Sequence, residues 1–213
     1  MLLGKTEIVK NNQEPEFAKS FEFDFYFERE QIIKVEVYDD DGSSGDFIGY
    51  FEASVGKIMT SMGSKLTGEL LKDGKAQNRG QVTLRAEIPS RINARISFTM
   101  SASVRSQAGC CSSDAPFVQV FKKVGADYMK VLETRTANSN TPVFERVDTT
   151  GLTLLVAGNE ENTELQFKIL NYKQDGNHGT YATVQSNIAI LRTAKRHVLN
   201  FGGGSLTIEN FVY

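Results

Sequence analysis

The chain has 213 residues, of which 40% are hydrophobic and 23% charged, and its net charge is −2. That balance supplies no global field to recruit nucleic acid or anionic lipid, and no run of 18 apolar residues exists to make a membrane helix. Eighteen Gly and four Pro beside 14 Phe and 7 Tyr suit short aromatic-rich strands joined by tight turns.

Met1-Leu2-Leu3 is followed at once by Gly4-Lys5-Thr6, too short an apolar start for a signal peptide. Gly4-Lys5-Thr6 echoes the end of a phosphate-binding loop, but such a loop must open a helix, and Asn12 to Pro15 argues against one. Phe21, Phe23, Phe25 and Phe27 alternate with Glu22, Asp24 and Tyr26, which predicts a strand. Ile33, Val35 and Val37 alternate with Lys34 and Glu36 as a half-buried strand, and Phe47-Ile48-Gly49-Tyr50-Phe51 predicts the next one.

Between those two strands lies Asp39-Asp40-Asp41-Gly42-Ser43-Ser44-Gly45-Asp46. Asp39, Asp41 and Asp46 crowd carboxylates onto one turn, which is unfavourable unless a cation compensates. Hard oxygen ligands on a flexible loop suit Ca²⁺. An EF-hand does not fit: counting from Asp39 puts Ser44 and Tyr50 where Gly and Glu are needed, and counting from Asp40 gives Gly45 but then Phe51. A solvated acidic turn is the other reading, since Asp and Gly are ordinary turn residues.

Beyond the loop, Val55–Ser61 has the length of one or two helical turns, and Val82, Leu84, Ala86 and Ile88 alternate as a strand. Pro89-Ser90-Arg91-Ile92-Asn93 reads as a polar linker, placing domains at 1–90 and 91–213. Strands are then expected at Ile96–Ala102, Phe117–Lys122, Leu165–Ile169 and Leu206–Ile208, with a short helix in Ile188–Arg196. Many short strands separated by Gly, Asn and Ser turns predict an all-β chain of antiparallel β-sandwiches. Cys110 and Cys111 are adjacent and cannot staple distant strands. They read as reduced thiols in a cytosolic setting, S-acylation at a membrane being the other reading.

The two halves repeat. Asn11-Asn12-Gln13-Glu14-Pro15-Glu16-Phe17 matches Asn138-Ser139-Asn140-Thr141-Pro142-Val143-Phe144, and Gly80-Gln81-Val82-Thr83-Leu84 matches Gly204-Ser205-Leu206-Thr207-Ile208. The offsets, 142 − 15 = 127 and 204 − 80 = 124, are one sandwich apart. The second half has about forty residues ahead of its Asn-Pro-Phe segment, long enough for two strands at the usual strand length. The first half has almost none, so its two opening strands are expected to be absent from the chain.

At this point the sequence resembles tandem C2 domains, in particular those of the copine family. The likeness rests on Gly4–Asn12, the Pro15-x-Phe17 step, Phe21–Phe27, and Val35-Glu36-Val37-Tyr38-Asp39-x-Asp41 with Asp46-Phe47-Ile48-Gly49, then Gly56-Lys57-Ile58 and Leu66 to Leu71. It is specific across 4–88 and looser across 95–213. It implies two C2-like sandwiches of type II topology, the first incomplete, without the von Willebrand A-type domain that follows in copines. It also implies Ca²⁺ held by aspartates on two loops at one end of the sandwich. Asp39, Asp41 and Asp46 match the three on the later loop, while the two on the earlier loop have no counterpart in the first half. Half a site implies weak binding, no tighter than roughly the millimolar range.

In the second half the corresponding ligand positions hold Gly109, Ala115, Asn171, Lys173 and Gly179. Asp114 is displaced by one residue and, in an extended segment, is expected to point the other way. Lys173 puts a fixed positive charge at a ligand position. That half is expected to be calcium-independent.

The function implied is calcium-dependent phospholipid docking at the plasma membrane or other membranes by a cytoplasmic protein, through anionic lipid surfaces and protein partners and without nucleic acid. The alternative is a calcium-independent protein-interaction scaffold. Lys122-Lys123 with Arg192, Lys195 and Arg196 form a basic set that suits lipid headgroups or simply a solvated surface. Only His178 and His197 exist, no His or Cys pair has zinc spacing, and no Gly-x-Ser-x-Gly elbow or Gly-x-Gly-x-x-Gly fingerprint occurs. No catalytic residues are assigned, and the chain is not expected to be an enzyme.

Overall fold

The computed structural model describes residues 1–40, 42, 45–88, 95–107, 114–150 and 161–212. It divides into two compact units, one made of Met1–Gly4 and Phe21–Ile88, the other of Lys5–Ser20 and Pro89–Tyr213. The expected linker at 89–93 lies outside the described residues. Lys5–Ser20, read from sequence as part of the first domain, groups with the second unit. There the Asn11 side chain donates to the Gln174 carbonyl.

The first unit is one antiparallel sheet of four strands in sequential order: β1 (Ile32–Asp39), β2 (Asp46–Ser54), β3 (Lys65–Lys72) and β4 (Lys75–Arg85). Alternation puts Ile33, Val35 and Val37 of β1 on one face, opposite Ala53, Phe51 and Gly49 of β2. On β3, Gly68 leaves room for the Phe51 ring: a Cβ there would meet that ring at 1.9 Å. The short helix α1 (Val55–Thr60) joins β2 to β3, capped by the Ser54 hydroxyl accepting from the Lys57 amide at 3.3 Å. Among the described residues of this unit, only Ala53, Val55, Ile58 and Leu70 are buried apolar side chains.

The second unit is a full two-sheet sandwich. Its strands are β5 (Arg95–Val104), β6 (Pro116–Val124), β7 (Asp127–Glu133), β8 (Val147–Thr150), β9 (Leu165–Asn171), β10 (Gly179–Ser186), β11 (Arg196–Phe201) and β12 (Gly204–Val212). One sheet has the order β10-β9-β6-β7 and the other β11-β12-β5-β8. A short helix, α2 (Ile188–Leu191), joins β10 to β11, with Asn187 accepting from the Ile190 amide at 2.8 Å. The two sheets enclose one core: Ile96, Phe98, Met100, Ala102 and Val104 of β5, Val118 and Val120 of β6, Leu165, Phe167 and Ile169 of β9, and Leu206 and Ile208 of β12. Two layers give each apolar face something to pack on. Strand, helix and strand recur in the same order in both units, so the fold is all-β with two tandem antiparallel sandwiches, the first incomplete.

The strand expected at Phe21–Phe27 does not form. Its counterpart by the repeat is β8, which pairs with β5. Among the described residues the first unit has no strand equivalent to β5, so the alternation at 21–27 meets no partner. The segment turns instead, with Gln31 donating to the Asp24 carbonyl at 2.8 Å and accepting from the Tyr26 amide at 2.7 Å. Phe25 and Phe27 are left 41% and 89% exposed.

Candidate metal-binding loops

A bulge between Val37 and Tyr38 resets the β1–β2 register, so Tyr38 faces Phe47 and Asp39 faces Asp46. The Tyr38 and Phe47 rings lie 5.3 Å apart under the acidic turn. Lys72 donates to the Phe47 carbonyl at 3.2 Å from β3. Directly opposed residues on adjacent antiparallel strands have Cβ atoms about 4.5–5.5 Å apart, and like charges in that arrangement are destabilising. Asp39 and Asp46 are both exposed at the mouth of the hairpin. Asp40 is turned back on its own loop, accepting from the Gly42 amide at 3.0 Å, and Gly42 has φ +85°. Asp41, the third expected ligand, lies outside the described residues. Among the described residues there is no group of three or more His, Cys, Asp or Glu placed to hold a metal. The structure therefore brings two of the three expected carboxylates together. As hard oxygen donors at the two ends of one turn they fit part of a Ca²⁺ shell.

The second unit shows what the same place looks like without the acids. Asn171, at the end of β9, faces Gly179, at the start of β10, in the register position that Asp39 and Asp46 occupy in the first unit. Asn171 is used internally: its carbonyl accepts from the Ala115 amide at 2.8 Å and its amide donates to Asp114 at 3.0 Å. Asp114 thus corrects the expectation that it points away. It is buried, 5% exposed, and also accepts from the Gln107 amide at 3.2 Å. Burial opposes its ionisation, but hydrogen bonds from Ser106, Tyr181, Gln107 and Asn171 outweigh that and hold its carboxyl below the usual carboxylate range. Burial and the facing Asp114 carboxylate push the Tyr181 phenol up.

The later loop of this unit is closed by an aromatic cluster. The His178 ring lies 5.0 Å from Phe117 and 5.1 Å from Tyr172. Its Nδ1 accepts from the Lys173 amide at 3.1 Å. Burial lowers the His178 pKa, partly offset by Glu133 and Asp175. The Lys173 side chain is exposed. Residues 108–113, with Cys110, Cys111 and Gly109, lie outside the described residues. Sequence reasoning missed Asp114 as a staple and the Phe117–Tyr172–His178 cluster. The available signal was Asp114 standing directly before Ala115-Pro116-Phe117 at the start of a buried strand.

Of the basic set, Lys123, Arg192, Lys195 and Arg196 are exposed and three of these four lie against carboxylates. Lys122 is buried at 1% exposure. Arg192 pairs with Glu161 at 2.7 Å, Arg196 with Glu209 at 2.9 Å, and Lys123 lies 3.8 Å from Glu164. No helix among the described residues is long and apolar enough to cross a membrane.

The sequence matches the C2 domain over residues 3–70 and 103–199. With the sandwich topology and loop placement above, the chain belongs to the C2 domain family. Among curated relatives it is similar to Copine-E of Dictyostelium discoideum, 32% identical over 149 residues, covering 69% of this chain and 25% of that protein. It is also similar to Copine-D of the same organism, 28% identical over 217 residues, covering 97% of this chain and 37% of that one. It is a copine-like C2 protein, and it spans well under half the length of these relatives. Among solved structures, BON1-C2B aligns with a TM-score of 0.47 and 15% identity, over 56% of this chain and 91% of that one.

Proposed function

We propose that the protein is a calcium-responsive phospholipid-docking module whose response resides in the first unit, and that it acts by binding and not by catalysis. The observation that carries this reading is the facing pair Asp39 and Asp46, set against Asn171 and Gly179 at the same register position of the second unit. Asp39 and Asp46, with Asp41 from the same loop, would hold the ion. Bound Ca²⁺ supplies charge neutralisation and open coordination positions for lipid phosphate. The chain's own contribution is to keep two carboxylates apposed on a hairpin rim, with Tyr38 and Phe47 packed beneath. With only this loop contributing, affinity is expected no tighter than about millimolar. The cell context proposed is cytoplasmic, peripheral at the plasma membrane or other membranes, with anionic phospholipid and protein partners.

Co-sedimentation of the full chain with phosphatidylserine vesicles tests this. Pelleting in millimolar Ca²⁺ but not in chelator, lost in Asp39→Asn with Asp46→Asn, is the expected result; equal pelleting in both conditions contradicts it. The second reading, a calcium-independent interaction scaffold, is favoured by the internally bonded loop end of the second unit, where Asn171 donates to Asp114. Equal pelleting, or capture of a protein partner indifferent to chelator, would support that reading.

A further inference from the structure

Two hairpin turns share one rim of the first unit. β2 runs away from the acidic turn and β3 runs back antiparallel to it, with Leu71 facing Tyr50. The turn Asp73-Gly74 between β3 and β4 therefore lies at the acidic end of the sheet. The strands approach closely there: a Cβ on Gly49 of β2 would meet the Leu71 carbonyl at 2.9 Å.

Each turn is closed by a pair of like charges. Asp39 faces Asp46 across the first, and Lys72 faces Lys75 across the second. Like charges directly opposed on antiparallel strands are destabilising, so a cation relieves the acidic turn and an anion relieves the basic one. Lys75 is exposed and Lys72 half-buried. The Lys72 ammonium is aimed at the acidic turn: it donates at 3.2 Å to the carbonyl of Phe47, the residue after Asp46, and lies 5.7 Å from the Phe47 ring centroid. An ammonium has three donors, and this bond uses one. Asp73, at the tip with φ +52°, offsets one of the two lysines. The second unit differs in both places. It has Asn171 facing Gly179 at the first turn, and Phe201 facing Gly204 across the uncharged Gly202-Gly203 turn at the second.

We propose that Lys72 and Lys75 are the anion-binding half of this rim and hold the phosphate of an anionic bilayer lipid beside the acidic turn. Lysine binds phosphate as a compact point charge, and each lysine close to an anionic bilayer favours association. With a cation on the acidic turn, one lipid phosphate set between the two turns relieves both like-charged pairs. Resting on the docking reading of this rim, the lysine contact does not require tight calcium binding at the acidic turn.

The test compares the full chain with the pair Lys72→Gln and Lys75→Gln, and with the pair Lys72→Arg and Lys75→Arg. All three are pelleted with phosphatidylserine vesicles, in millimolar Ca²⁺ and in chelator. The Gln pair is expected to need about tenfold more lipid for half-maximal pelleting, and the Arg pair, which keeps both charges, to stay within about twofold of the parent. Amide shifts of the ¹⁵N-labelled chain in Ca²⁺ without lipid read the acidic turn alone. They are expected at no higher calcium concentration in the Gln pair, because removing positive charge cannot repel a cation. Equal pelleting of parent and Gln pair in both buffers, none included, overturns the proposal. A loss as large in the Arg pair also overturns it, since the lysines then hold the turn's shape, as does weaker calcium binding in the Gln pair, since they then act through the ion site. Shifts at Lys72–Lys75 in inorganic phosphate that match those with vesicles overturn the lipid assignment, because a free anion then suffices. An absence of calcium shifts at Tyr38–Phe47 counts against the calcium reading alone.

Discussion

Among the described residues, sixteen buried side chains of the second unit form one core between two sheets, whereas the first unit has four buried apolar side chains and a single sheet. Both units run strand, turn, strand, capped helix, strand, strand, the turn being acidic in the first and flanked by Asn171 and Gly179 in the second. The difference is the strand set that precedes this run. β5 and β6 each lie in the middle of a sheet, β5 between β12 and β8, β6 between β9 and β7. Each is the strand on which the shared strands of its own layer pair, β9 on β6 and β12 on β5, so both layers hold together and bury their facing sides. Fully burying one Val, Leu, Ile or Phe is worth about 1.5–3 kcal/mol, so the two units are expected to differ widely in stability while sharing local geometry.

The largest effect expected is at that contrast. Phe98→Ala, at 2% exposure in β5, is expected to cost about 3–5 kcal/mol and to unfold the second unit at markedly lower denaturant. Val35→Ala, half-buried in β1, is expected to cost about 1 kcal/mol. Equal shifts in chemical denaturation would mean that the first unit has a core of its own. Amide exchange extends the same comparison, with β5, β6 and β9 protected far longer than β1–β4.

Next comes the loop end of the second unit. Asp114→Ala leaves Asn171 and the Gln107 amide without their acceptor and is expected to cost about 1–3 kcal/mol. The folded pKa of Asp114 is lowered, so between the folded and unfolded values the unfolded chain binds more protons. Its contribution is fully present above the unfolded carboxylate range and is lost as pH falls through the folded value. Acid titration of stability for the parent and Asp114→Asn checks this: the parent loses stability into acid, and the variant shows a shallower loss. His178 gives a smaller effect of the same sign. Its depressed pKa means stability is present above the ordinary imidazole value and declines as pH falls below it. His178→Gln is expected to flatten the profile near that range. An unchanged profile would remove the aromatic cluster as the element closing this loop.

Much of this was readable in the residues, and the failures have definable causes. Ile33, Val35 and Val37 announce β1 because their alternation meets β2 through a hairpin encoded by adjacent residues. The same alternation at Phe21–Phe27 fails because strand identity there depends on a distant partner, which periodicity does not report. The Asp39–Asp46 apposition follows from two strands joined by one acidic turn, although the bulge at Val37/Tyr38 that sets the register left no mark in the pattern. Asp114 was misread because a one-residue displacement reverses a side chain only in a regular strand, and Asp114 precedes β6, which begins at Pro116.

The central claim is that calcium is sensed at the first unit's hairpin and ignored at the matching hairpin of the second. Titration of the ¹⁵N-labelled full chain with Ca²⁺ up to several millimolar, alongside phosphatidylserine, tests it residue by residue. The account predicts saturable amide shifts at Tyr38–Phe47 with Asn171–Gly179 unmoved. Shifts centred on Asn171–Gly179, or none at Tyr38–Phe47, would contradict it.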